Sequence, residues 1–122
     1  MFFVSTAPSP HLQSFKAEFF KALAHPIRIR LLEVLRGGQR SVQELQTRLD
    51  LDQSIVSQQL AILRAKHIVT SRKEGTTVRY EIRDPLVGDL LDVARRIFNN
   101  QLAGTQTMLR ELRQEARRPA RH

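Results

Sequence analysis

The apolar residues of this 122-residue chain change their spacing at Ile68, and that change restricts the fold more than any other feature. Upstream, Leu12, Phe15, Phe19 and Leu23 recur three and four residues apart, and three further groups do the same: Ile27, Leu31, Val34 and Leu35; Val42, Leu45 and Leu49; Val56, Leu60 and Leu63. Such spacing lines one face of a helix. Downstream, Val78, Tyr80 and Ile82 alternate with Arg79 and Glu81, the two-residue period of a strand. From Leu86 the helical period returns. The expectation is a mainly α fold with a small β-hairpin between its fourth and last helices.

Local signals set the boundaries. His25-Pro26 breaks the first helix, because a residue before proline is disfavoured in the α region, whereas proline suits the first turn of a new helix. The second helix runs to about Arg36 and stops at Gly37-Gly38. Ser41 to Glu44, "SVQE", is a capping-box pattern that opens a short helix, and "DLDQ" then turns the chain, with Asp52 as N-cap of the next. Four helices precede any strand in this reading. Residues 68–83 read as a two-stranded ribbon whose turn is "KEGTT", Lys73 to Thr77, and Asp84-Pro85 ends it. The last helix is expected to end or bend at Gly104 and to fray from Arg117. The expected organisation is a flexible leader over 1–11, one domain over 12–103, and the end of the C-terminal helix with a basic tail over 104–122.

The closing helix carries two adjacent stripes, Leu86, Leu90, Val93 and Ile97 beside Val87, Leu91, Ala94 and Phe98. A helix lying on a monomer needs only one, so the second calls for a partner helix, and a second copy of the chain is the simplest source.

Composition narrows the class. Twenty Lys and Arg against 12 Asp and Glu give a formal charge of +8, which favours an anionic partner, although five arginines fall in the last thirteen residues. Cysteine is absent, which excludes disulfides, thiolate metal sites and a cysteine nucleophile. The opening "MFFVSTAPSPHL" lacks the basic n-region and apolar core of a signal peptide, and no stretch has the length of a membrane span. A cytoplasmic protein without a membrane partner is expected.

The segment 52–69, "DQSIVSQQLAILRAKHIV", carries the functional signal. With Val56 at zero on a helical wheel, Leu60 and Leu63 fall within about 40° of it, forming an inward face. Ser54, Ser57, Gln58 and Ala61 lie opposite, where a merely solvated face would usually carry Lys and Glu. Small hydroxyls let the backbone approach a surface closely, and a glutamine amide offers the paired donor and acceptor that base edges in the major groove require. A short capped helix, a tight turn and then this helix make a helix-turn-helix. The ribbon behind it brings Arg72, Lys73, Thr76, Thr77 and Arg79 near a hairpin tip, where cations can meet phosphate or the minor groove. The combination is a winged helix.

Three stretches, "FFKALAHPIRIRLLEVL", "SVQELQTRLDLDQSIVSQQLAILRAKHIV" and "SRKEGTTVRYEI", resemble the successive signatures of the ArsR/SmtB family of bacterial winged-helix repressors over about residues 12–100. The resemblance implies a homodimer held by the N- and C-terminal helices, here through Leu12, Phe15, Phe19, Leu86, Leu90, Val93, Ile97 and Phe98. It implies repression at an inverted-repeat operator until an inducer lowers affinity for double-stranded DNA. By position, Gln53, Ser54, Ser57, Gln58 and Gln59 match the DNA-contacting part of the recognition helix, Gln59 lying nearest the core face. Arg64 joins the wing cations as a candidate phosphate contact.

The family's metal patterns are not kept. Where members often carry Cys-Val-Cys-Asp-Leu, this chain has Ser41-Val42-Gln43-Glu44-Leu45, whose groups bind soft metals poorly. On the C-terminal helix, Asp84 matches an Asp-x-His start, but Leu86, Ile97 and Asn100 occupy the other ligand positions. No cofactor is required by this reading. A non-family Ni²⁺ or Zn²⁺ site using His11 with Glu18 is the remaining metal candidate. His25 reads as a helix-boundary residue and His67 as a cap or packing residue at the strand junction.

Catalysis is disfavoured, since Ser57 has no histidine partner in its helix and no phosphate-binding glycine loop occurs. The rival readings are a winged helix that binds protein rather than DNA, or a constitutive DNA binder governed by a partner protein or small inducer.

Overall fold

The computed structural model of the chain describes residues 10–117. The elements in chain order are α1 (Pro10–Leu23), α2 (Pro26–Leu35), β1 (Arg40–Ser41), α3 (Val42–Leu49), α4 (Gln53–Ala65), β2 (Val69–Glu74), β3 (Thr77–Ile82) and α5 (Leu86–Ala116). Helix α1 begins two residues before the first apolar residue of its stripe, because proline is tolerated in a first turn. His11, expected in the leader, is therefore helical.

Each helix boundary has a physical cause. His25 is extended (φ −150°, ψ 129°), and its Nδ1 accepts the Ile27 N–H at 3.1 Å, so an imidazole caps α2 in front of Pro26. Ser41 Oγ accepts the Glu44 N–H at 3.2 Å and opens α3 as its capping pattern predicts. Asp50 closes α3 in the left-handed conformation (φ 52°), which a short polar side chain tolerates. Asp52 holds the N-cap position of α4 but makes no side-chain cap bond.

Helix α4 ends with His67 at φ 60°, its N–H donating to the Arg64 carbonyl at 3.0 Å while Ile68 N–H donates to Leu63 at 3.0 Å. This is a Schellman closure with histidine where glycine is usual, and the buried Leu63 and Ile68 occupy the positions of its accompanying hydrophobic contact. His67 thus caps through its backbone, with its side chain exposed.

The core gathers Leu31, Leu32 and Leu35 of α2, Leu45 and Leu49 of α3, Val56, Leu60 and Leu63 of α4, and Ile68 and Val69 at the root of the ribbon. Ile27 and Val34, expected inward, are half-buried, and Leu32 takes the inner place instead.

The ribbon pairs antiparallel from Val69↔Ile82 to Glu74↔Thr77. A two-residue loop, Gly75-Thr76, joins the strands, and Gly75 adopts the φ of 61° that such a loop demands. The sheet has a third strand: β1 pairs with β3 through Arg40↔Tyr80 and Ser41↔Arg79, in the order β1-β3-β2. The expectation of a two-stranded ribbon after four helices is corrected accordingly, because two residues are too short to display a period.

The described residues divide into two compact parts, with the boundary between Val87 and Gly88. The second is α5 beyond its first two residues, and the helix continues through Gly104 rather than ending there. Among the described residues no helix is long and apolar enough to cross a membrane.

Candidate nucleic-acid interface

Helix α4 is amphipathic in the sense the wheel predicts. Val56, Leu60 and Leu63 are completely buried, whereas Gln53, Ser54, Ser57, Gln58 and Ala61 are all exposed. The buried stripe fixes the helix against α2 and α3, so the opposite face is presented by a rigid element.

Gln59 does not join that face. It is half-buried, and its Oε1 accepts a 2.9 Å hydrogen bond from Arg28 Nη1. The same guanidinium donates through Nε to the Ala22 carbonyl at 2.7 Å and through Nη2 to the Lys21 carbonyl at 3.4 Å. Arg28 therefore ties the end of α1 to the recognition helix, with Gln59 as the tether. This brace spans 31 residues of sequence, and no local pattern could have shown it.

The wing cations fall into two groups. Lys73 and the hydroxyls of Thr76 and Thr77 are exposed at or beside the tip, and Arg64 is exposed in the last turn of α4. Arg72 is also exposed, 3.6 Å from Glu81 across the ribbon. Arg79 is half-buried and already engaged, at 3.0 Å from Glu44 and 3.2 Å from Glu74. It clamps the wing to the first turn of α3. Desolvation alone would raise the Glu44 carboxyl, but hydrogen bonds from Ser41 and the charge of Arg79 outweigh it and hold the group below its ordinary value.

His11 and Glu18 do not form a site together. Seven residues apart on α1, they are separated by a rise of about 10.5 Å, too far to share one ion. Glu18 faces Lys21 at 3.4 Å and Lys66 at 3.6 Å, and the hydrogen bond and charge of Lys21, followed by the charge of Lys66, hold its carboxyl below the ordinary value. Among the described residues no group of three His, Cys, Asp or Glu could hold a metal. His122 lies outside the described residues.

The residues expected at a dimer interface are mostly uncovered. Leu12 and Phe15 on α1 and Leu86, Val93, Ile97 and Phe98 on α5 are exposed, while Phe19 and Leu90 are half-buried. Phe19 stacks edge-to-face on Phe20 at 5.6 Å.

Comparison with known proteins agrees with this architecture. The family described as bacterial regulatory protein, arsR family, matches residues 25–71, from the cap of α2 into the wing. The uncharacterized HTH-type transcriptional regulator Rv0081 of Mycobacterium tuberculosis is 43% identical over 106 residues, covering 86% of this chain and 93% of that protein. Its crystal structure superposes with a TM-score of 0.73 over 80% of this chain and 98% of that one. The biofilm growth-associated repressor of Agrobacterium fabrum is 34% identical over 78% of this chain and 84% of its own length. The homodimeric winged helix-turn-helix domain Mb0332 of Mycobacterium bovis, solved by NMR, is 26% identical with a TM-score of 0.73, covering 83% of this chain and 94% of that one. The order of capped helices, recognition helix and wing, together with these matches, places the chain in the ArsR/SmtB family of helix-turn-helix transcriptional regulators.

Proposed function

We propose that the protein is a homodimeric repressor that binds an inverted-repeat operator and leaves it in response to an inducer. The observation that carries this reading is the exposed Gln53, Ser54, Ser57 and Gln58 face of α4, set opposite a completely buried stripe. Ser57 and Gln58 read base edges, Arg64, Arg72, Lys73, Thr76 and Thr77 contact the backbone or minor groove, and Arg79 and Gln59 hold wing and helix in place from behind. Two α4 helices related by a two-fold axis would meet half-sites roughly 34–36 Å apart. Repression is supported by the family and by relatives whose names record it; the homodimer is supported by the Mb0332 domain and by the uncovered faces of α1 and α5. DNA binding in this reading uses protein side chains alone, and Ni²⁺ or Zn²⁺ enter only as candidate effectors.

The test is binding to a duplex selected from random DNA, across several salt concentrations, with Ni²⁺, Zn²⁺ or a chelator. Selective, salt-dependent binding supports the operator reading, and a metal response would identify the effector class. Selective binding indifferent to metals moves the search to an organic inducer or a partner protein. Binding with no selectivity in any condition would favour the protein-binding rival.

A further inference from the structure

A cavity of about 470 Å³ opens between α1 and the C-terminal end of α4, within the size range of sites for small organic molecules. Its apolar lining is Phe15, Phe19 and Phe20 from α1 and Ala65 from the last turn of α4. Phe15 is 75% and Phe20 58% exposed, so two large aromatic rings at the cavity stand open to solvent. Phe20 meets Phe19 edge-to-face at 5.6 Å and is not among the residues that the resemblance assigns to a dimer interface.

The charged residues at the cavity are Lys16, Glu18 and Lys66, with His67 beside them. Glu18 is matched first by Lys21, at 3.4 Å, and Lys66 stands farther off at 3.6 Å with its side chain 46% exposed. Glu18 therefore keeps a partner when Lys66 turns away, and Lys16 and Lys66 give the cavity a positive balance that suits an anionic head group.

We infer that this cavity binds an amphipathic organic acid, its apolar body on the phenylalanines and its carboxylate on Lys16 and Lys66, and that this acid is the inducer. The inference deepens the repressor reading and rests on it for the inducer role. Lys66 is the C-cap of the recognition helix, and its ion pair with Glu18 joins that helix to α1. A bound carboxylate that takes Lys66 from Glu18 removes this tie, while Arg28 still holds Gln59. The end of α4 that leads through His67 into the wing then shifts relative to the part held at Gln59, and the groove-facing side chains lose their register.

Fluorescence of 8-anilinonaphthalene-1-sulfonate, an aromatic amphipathic anion, tests the site when it is titrated into the full chain and displaced by decanoate or by decyltrimethylammonium. The competitors have chains of similar length and opposite charge. The expected result is displacement by decanoate at a concentration at least about tenfold lower than by the cation. Lys66→Gln should narrow that gap to within about threefold, and Ala65→Phe, which fills the cavity, should raise the decanoate concentration needed at least about tenfold. Decanoate should weaken native binding to the selected duplex at least about fivefold and leave that of Ala65→Phe unchanged. Urea unfolding checks both variants, and if Ala65→Phe does not fold, Lys66→Gln and the comparison of charges decide. Equal displacement by the two competitors, or displacement unaltered by both substitutions, overturns the site. Displacement that fades as the chain is concentrated into its dimeric range makes a second copy the occupant and overturns it as well. Displacement as expected with unchanged duplex binding overturns the inducer role and leaves the repressor reading intact. A native chain that selects no duplex overturns the repressor reading, and the inducer role with it, whatever the displacement shows.

Discussion

Helices α4 and α5 are both amphipathic, yet their apolar faces have opposite fates. Val56, Leu60 and Leu63 of α4 are completely buried within one chain, whereas Val93, Ile97 and Leu112 of α5 are about half exposed. The polar faces differ too: α4 shows short Ser and Gln side chains, α5 a mixture that includes Arg95, Arg96, Arg110 and Arg113. A helix whose apolar side is satisfied internally is free to offer its polar side to a partner, and a helix whose apolar side is left open offers that instead.

Substitutions separate the two cases most sharply in stability. Leu60→Ala should cost about 2–5 kcal/mol of unfolding free energy, measured by urea denaturation, because it leaves a cavity among α2, α3 and α4. Ile97→Ala should change unfolding of residues 10–87 far less and act on dimer dissociation. Comparable losses of stability from both would remove the contrast.

Within α4 the comparison can be narrowed to adjacent residues. Gln58 is exposed and Gln59 is tied to Arg28. Gln59→Ala and Arg28→Ala should weaken binding to every duplex to a similar degree and show a coupling of about 0.5–3 kcal/mol in a double-mutant cycle. Additive effects, or a loss confined to one base pair, would make Gln59 a reader instead of a positioning residue.

The wing permits a smaller test. Lys73→Ala should make the salt dependence of binding shallower by about one unit, whereas Arg79→Ala should leave that slope nearly unchanged while loosening the wing. The smallest effect concerns pH. Because the Glu44 carboxyl is held below its ordinary value of 4.5 in the folded chain, its contribution is present above that value and is lost as pH falls through the lower, folded one. Glu44→Gln should flatten that part of the acid-unfolding profile, and an unaltered profile would show that the contact with Arg79 has no energetic weight.

The pattern of apolar spacing made α2, α3, α4 and the hairpin legible in the sequence because each displays at least two full periods. The exposed face of α4 was legible for the same reason, since burial of one face determines the other. Strand β1 was invisible because two residues show no period. The Arg28–Gln59 and Arg79–Glu44 contacts were invisible because they join residues 31 and 35 positions apart through long side chains whose direction depends on packing. That is why Gln59, placed with the candidate DNA contacts by the family resemblance, and Arg79, placed there by its position near the hairpin tip, are found bonded to Arg28 and Glu44 instead.

The most direct test of the central claim compares Ser57→Ala and Gln58→Ala with the native chain on the selected duplex and on random DNA. A base-reading α4 predicts a loss of about 1–3 kcal/mol on the selected duplex with little change on random sequence. Equal weakening on both, or none on either, would contradict it.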